Sequence, residues 1–314
     1  MTPASRYTTT ELLLELEPFV AAEVDRHFGV AKEWFPHTYV PWSLGTDFDG
    51  PLEGQAWSPD QSQLSEAARV SLFVNLLTED NLPSYHAQIA DIFGRDGAWG
   101  TWVHRWTAEE GRHGAAIRDY LTVTRAVDPV ELERARMVHM ETGFESDYGD
   151  DMVRGLAYVS FQELATRVSH RNTGSASGDP VCEALMARIA TDENLHMIFY
   201  RNTLGATLEL DPNGTMRAIT DVVKTFQMPG HSIDGFMRKS AIIANAGIYD
   251  VRQHKDQVLT PVLRQWKVWD LEGLDSQGEQ AREELDVFLE QLEVAAVRFE
   301  ERKAAREARQ AARN

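Results

Sequence analysis

Six residues in this 314-residue chain have types and spacing that suit metal chemistry. Glu79 precedes a Glu-x-x-His unit made of Glu110 and His113, and Glu163 precedes a second such unit made of Glu193 and His196 at a nearly equal separation. On a helix, residues three apart share a face, so each unit presents a carboxylate and an imidazole side by side. Two single glutamates and two Glu-x-x-His pairs, one contribution from each of four helices, are the donor set of a paired iron or manganese site in a helical bundle. Four carboxylates balance two divalent cations. Oxygen and imidazole donors with no cysteine argue against a structural zinc site.

The elements that would carry these residues are helical. Leu72, Leu76, Glu79 and Leu82 follow one helix face, as do Trp102, Trp106, Glu110, His113 and Ile117. Leu156, Val159, Glu163 and Thr166 do the same, and so do Leu185, Ile189, Glu193, His196 and Tyr200. All four glutamates therefore point where a core belongs. A buried carboxylate needs a partner or a metal. Periodicity and breakers predict helices over 10–28, 65–93, 96–125, 129–142, 150–172, 180–208, 215–228, 232–250, 254–266 and 279–308, with Pro18 as a kink in the first. Prolines and glycines make 36–62 a loop, and polar turns are expected at 171–179 and 210–215. Asp128-Pro129 and Asp179-Pro180 read as helix starts. The expected class is all-α, with a core domain over 1–281. An amphipathic helix and charged tail, rich in Arg and Ala from Arg298 to Arg313, occupies 282–314. His27, His37, His86, His104 and His139 lack a ligand setting and read as ordinary structural or surface residues.

Net charge is −18, from 49 acidic and 31 basic residues, which disfavours nucleic acid as a partner. Cys182 is the only cysteine, so no internal disulfide forms, which suits a reducing cytoplasm. The first twenty residues carry Glu11, Glu15 and Glu17 rather than a basic start, and no apolar run is long enough to span a bilayer; neither a secretory signal nor membrane insertion is expected.

The segments TEDNLPSYH (78–86), WTAEEGRHG (106–114), SFQELATRVSHRN (160–172) and DENLH (192–196) contain all six residues. Together with KEWFP (32–36), QMPGH (227–231) and QWKVWDLEGLDSQGEQA (265–281), they closely resemble the soluble acyl-acyl carrier protein desaturases. The resemblance covers about residues 10–281. It implies a ferritin-like four-helix bundle with flanking helices, usually a homodimer, and two iron ions, with manganese as a substitute. The implied ligands are Glu79, Glu110, His113, Glu163, Glu193 and His196, of which Glu110 and Glu193 bridge. It further implies proton delivery near Thr166, and an electron path from Trp34 through Asp192 to His113. Asp192 also has a plain role in holding a ligand imidazole by its free N–H. The implied reaction is O2-dependent. With electrons from ferredoxin, it introduces a cis double bond into a saturated acyl chain held on acyl carrier protein.

Some positions depart from the plant pattern. Leu195 stands where those enzymes carry an arginine on the carrier-docking side, while Lys32 is retained. Gln88 and Asp91 replace a thioether and a threonine near the channel, with Ile92 still apolar, which implies a changed chain length, bond position or carrier. The alternative reading is a di-iron oxygenase or oxidase of the same fold acting on another carrier-bound or coenzyme-A-bound substrate. A radical-generating reductase subunit usually has a tyrosine four residues after the first ligand histidine, where this chain has Ile117. Chain length disfavours a storage ferritin. A non-catalytic helical protein that has kept its metal site is the remaining competitor.

Overall fold

The computed structural model describes residues 7–144 and 148–312. Arg313, the last residue of the charged tail, lies outside them. Twelve α-helices account for most of the described chain: α1 (Thr9–Val30), α2 (Glu66–Asp80), α3 (Leu82–Phe93), α4 (Gly97–Val123), α5 (Pro129–Thr142), α6 (Met152–Ser177), α7 (Pro180–Leu210), α8 (Pro212–Thr225), α9 (Phe236–Asn245), α10 (Val251–Gln253), α11 (Thr260–Gln265) and α12 (Ser276–Ala311). The only β pairing among the described residues is one isolated bridge, Phe48 with Gln55. The all-α, ferritin-like expectation therefore holds.

Four helices form the bundle. α2 lies against α4 and α6, and α7 closes the ring by packing on α4 and α6. Each carries an apolar stripe: Leu72 and Leu76 on α2, Trp102 and Ile117 on α4, Leu156 and Phe161 on α6, Leu185 and Ile189 on α7, all buried. Outside the ring, α1 packs on α4 and α7, α3 on α4, α9 on α2, and α8 on α6 and α12. α1 starts at a reciprocal cap between Thr8 and Glu11. It buries Leu12, Leu16, Val20, Val24 and His27 along one face, and it continues through Pro18, which lies on the exposed side. The Asp128, Asp151, Asp179 and Asp275 side chains cap α5, α6, α7 and α12.

Several boundaries differ from the expectations. The helix expected over 65–93 is two helices meeting at Asn81, because Pro83 in the first turn of α3 supplies no N–H for the preceding turn. The turn expected at 171–179 shrinks to Gly178 and Asp179. The hydroxyls of Thr173 and Ser177 donate to carbonyls of their own helix, which keeps α6 satisfied to its end. The turn expected at 210–215 reduces to Asp211, which caps α8 directly ahead of Pro212. The helix expected over 232–250 is only α9, and that expected over 254–266 opens with a π-helical segment, His254–Leu259. α12 runs unbroken from Ser276 to Ala311, across residue 281.

Two glycines set close approaches that matter to the site. Gly230 has a φ of +109°, and a side chain there would meet Thr78 on α2 at 2.9 Å, so the segment after α8 folds tightly over the bundle. Gly174 lies where α6 crosses α7; a Cβ would sit 2.9 Å from Met186 Cβ and 3.1 Å from Glu183 Cα. An exposed helical Gly→Ala change gains about 1 kcal/mol of helix propensity, whereas overpacking costs about 1–3 kcal/mol. Gly174→Ala is therefore expected to lower the melting temperature despite its helical advantage. An unchanged or raised value in thermal unfolding would show that the α6–α7 contact is looser than described here.

Candidate metal centre

α2, α4, α6 and α7 bring all six predicted ligand residues to one buried point. Glu79 is 9% exposed, Glu110 7%, Glu163 and Glu193 1% each, and both histidines 0%. Their donor atoms fall into two sets: Glu79, Glu110, His113 and Glu193, and Glu110, Glu163, Glu193 and His196, each set within 4.8 Å. Glu110 and Glu193 belong to both. His113 Nδ1 lies 3.2 Å from Glu110 Oε2 and from Glu193 Oε1, and 3.7 Å from Glu79 Oε2. His196 Nδ1 lies 2.7 Å from Glu110 Oε1 and 3.6 Å from Glu163 Oε2. Asp80 and Glu109, the acidic neighbours of Glu79 and Glu110, face elsewhere; Asp80 pairs with Arg136.

Each imidazole is held from behind. His113 Nε2 lies 3.4 Å from Asp192 Oδ2, which also accepts from Trp34 Nε1 at 2.7 Å and Arg112 at 3.2 Å. His196 Nε2 lies 2.9 Å from Glu109 Oε2, and His27 Nε2 lies 2.9 Å from the same oxygen. With Nε2 turned to a carboxylate, Nδ1 of both ligand histidines is aimed into the cluster. Trp106 Nε1 donates to Glu163 Oε1 at 3.0 Å, and His170 Nε2 lies 2.9 Å from Glu79 Oε1. The Thr166 hydroxyl is 2.8 Å from Glu193 Oε2, and is also within reach of the Glu163 and Gln162 carbonyls at 2.9 and 3.2 Å. Its helix-bonding and cluster-facing contacts thus coexist.

Three contributors escaped the sequence reading. Glu109, which the spacing pattern passes over in favour of Glu110, backs His196. His27, read as ordinary, is buried against Glu109 and stacks on the His196 ring at 5.9 Å. His170 was not singled out. His27, Leu16 and Val20 share one α1 stripe, and His170 falls seven residues after Glu163 on α6. Either spacing could have flagged an inward histidine.

Burial dominates the electrostatics but is overridden at several groups. It raises Glu163 well above the usual carboxylate range and raises Glu110, where the Glu193 charge adds to it. Burial would raise Glu193 too, but the adjacent imidazoles of His113 and His170 bring it well below that range. Burial would lower both ligand histidines. For His113, Glu110 and the hydrogen bond to Asp192 reverse this, and for His196 the nearby Glu109 and Glu110 carboxylates do, so both lie well above an ordinary imidazole. His170, between Glu193 and Glu79, is raised to about 9. Among the described residues, no Lys or Arg pairs with the four central glutamates; Arg105, Arg112 and Arg188 meet Glu109 and Asp192 on the outside.

A cavity runs beside the cluster. Leu82, Ile89, Ile92, Val159 and Trp106 line it, while Glu110, Glu163, Thr166 and Glu193 form its polar wall. Gln88 lines it as well, but Asp91 is exposed and pairs with Arg95 at 3.5 Å. Gly155 also lies on the lining, where the absent side chain leaves room.

The sequence profile of the fatty acid desaturase family matches residues 8–314. DesA1 of Mycobacterium tuberculosis, whose name places it among the acyl-[acyl-carrier-protein] desaturases, is 49% identical over 98% of this chain and 93% of its own length. Chloroplastic stearoyl-[acyl-carrier-protein] 9-desaturase 6 of Arabidopsis thaliana is 33% identical over 80% of this chain and 67% of its own. The X-ray structure of DesA2 from Mycobacterium tuberculosis H37Rv, titled as an acyl-ACP desaturase, superposes with a TM-score of 0.71. It is 31% identical and covers 86% of this chain and 98% of that one. A profile match along nearly the whole chain, a relative of almost the same length and a shared fold make this chain a member of the fatty acid desaturase family.

Proposed function

We propose that the protein desaturates an acyl chain carried on acyl carrier protein, using two iron ions held by Glu79, Glu110, His113, Glu163, Glu193 and His196. The observation that carries this reading is the placement of two overlapping donor sets directly against an apolar cavity. The residues fit such a pair. Glu110 Oε1, Glu163 Oε2, Glu193 Oε1 and His196 Nδ1 are buried without a hydrogen bond, although they lie close to one another. Four carboxylates converging on two imidazole nitrogens need cations between them. Glu110 and Glu193, common to both sets, would be shared by the two ions. Manganese would suit the same donors. No helix of the described chain is long and apolar enough to cross a membrane.

When bound, an iron pair would supply the oxidising chemistry by which dioxygen, two electrons and two protons remove one hydrogen from each of two adjacent acyl carbons, with two waters formed. The chain's own residues do the rest. Leu82, Ile89, Ile92 and Val159 exclude water and hold the acyl chain beside Glu110 and Glu163. The bond to be oxidised is thereby chosen by depth in the cavity. Gln88 and Gly155 set that depth. Thr166 Oγ1 holds a proton 2.8 Å from Glu193 Oε2. Trp34, 5% exposed, joins the outer shell to His113 through Asp192, and this contact is the electron path. Ferredoxin as donor and a homodimer as assembly follow from the family resemblance. Exposed Lys32 flanks Trp34 and offers a positive group to an acidic carrier.

Incubating the protein with ferredoxin, its reductase, dioxygen and a ladder of acyl thioesters tests the reading. Mass spectrometry is expected to find an alkene lighter than substrate by two hydrogens, and Glu110→Ala is expected to abolish it. A hydroxylated product would favour the oxygenase alternative, and no product would remove the enzymatic reading. Metal binding should also respond to pH. The ligand histidines, Glu110 and Glu163 hold protons more tightly than usual in the metal-free protein. Entering ions must displace those protons, so affinity rises with pH and is lost as pH falls. Adding Fe(II) or Co(II) to weakly buffered metal-free protein is expected to acidify it; pH-independent binding would contradict this arrangement. Removing the ions with a chelator is expected to lower the melting temperature, since ligand at roughly 100 times its Kd stabilises by about 2.7 kcal/mol.

A further inference from the structure

The surroundings of the two ligand histidines are related as near mirror images. On one side, Asp192 of α7 backs His113 of α4, and Trp34 donates to that aspartate. On the other, Glu109 of α4 backs His196 of α7, and His27 of α1 meets that glutamate. Each backing acid directly precedes a ligand glutamate, Glu110 or Glu193. In both halves the two rings lie nearly parallel, Trp34 with His113 at 6.3 Å and 19°, His27 with His196 at 5.9 Å and 28°. Arginines close both ends from outside: Arg112 and Arg188 at Asp192, Arg105 at Glu109, 2.5 Å from its Oε1.

We propose that His27 is a positioning residue for one end of the metal pair, acting through Glu109 on His196. This rests on the metal-pair reading above. An ionised carboxylate only accepts, so His27 and His196 each donate an Nε2–H to Glu109 Oε2, both at 2.9 Å. That contact keeps the proton of His196 on Nε2 and its Nδ1 lone pair toward Glu110 and Glu163. The His27 ring is itself fixed, edge-on against Trp102 at 5.1 Å and 1% exposed. Its Nδ1 has no hydrogen-bond partner, so the bond to Glu109 is the single polar use of a buried imidazole. An aliphatic side chain would fill the same space without the desolvation cost. The histidine is therefore explained by Glu109 rather than by packing.

The two ions then depend on different outer residues, and they can be separated. Metal-free full-length protein is titrated with Co(II), following the d–d absorption, for the unaltered chain, His27→Gln and His27→Asn. A glutamine amide reaches about as far as Nε2, whereas an asparagine amide stops at the position of Nδ1. The unaltered chain is expected to bind two ions. His27→Asn is expected to weaken one step by about tenfold, the lower end of the roughly 10–100-fold cost of losing a ligand's direct hydrogen-bond partner because Glu109 still holds His196, with the other step within about twofold. His27→Gln is expected to recover most of the loss. Thermal unfolding of the metal-free forms checks that each variant folds, and if His27→Asn does not, His27→Leu takes its place with the same expectation. Equal weakening of both steps, no weakening, or a glutamine variant as weak as the asparagine one would overturn the role of His27. An unaltered chain that binds no ion pair would overturn the metal reading and this role with it.

Discussion

The bundle interior is organised around an electrostatic problem: four largely buried carboxylates brought together at one point. Two like charges about 4 Å apart repel by about 4 kcal/mol even at an effective dielectric of 20. The cluster contains several such pairs. Ordinary protein counter-charges are kept out, since the nearest guanidinium groups are spent on Glu109 and Asp192 at the periphery. What remains inside are imidazoles and the room between unpaired oxygens. Cations in that room would relieve the repulsion and complete both donor sets together. The apolar stripes of α2, α4, α6 and α7 close around the cluster, and bound cations would add to the stability of that closure.

The same constraint links the site to its cavity. α6 carries both cluster-facing and cavity-lining residues along one inward stripe. Glu163 and Thr166 on α6 look toward the cluster, and Val159 and Gly155, one and two turns earlier, line the cavity. A change in acyl-chain length or bond position can therefore be made without touching a ligand. Gln88 lines the cavity from α3 rather than from a ligand helix.

Much of this was legible in the sequence. Spacing of three between Glu and His, set in a helical period of buried leucines and tryptophans, located the six inward residues and the helices that hold them. Capping aspartates before prolines marked the starts of α5 and α7. Other features depend on neighbours distant in the chain. The polar run at 171–177 looked like a turn, and it stays helical because Thr173 and Ser177 turn their hydroxyls back onto the helix and Gly174 lets α7 come close. The π-helical segment His254–Leu259 has no local signature. Glu109, beside Glu110, has no local signature of its role, because its imidazole partner His196 sits on the other Glu-x-x-His helix. His27 was misjudged for the same reason: its partner Glu109 is 82 residues away.

Elemental analysis of the purified protein, joined to anomalous diffraction at the iron edge, is the most direct examination of the central claim. Two ions per chain are expected, both between Glu110 and Glu193, one nearer Glu79 and His113 and the other nearer Glu163 and His196. A single ion, an ion bound away from these residues, or carboxylates neutralised by protons alone under metal-replete conditions would contradict it.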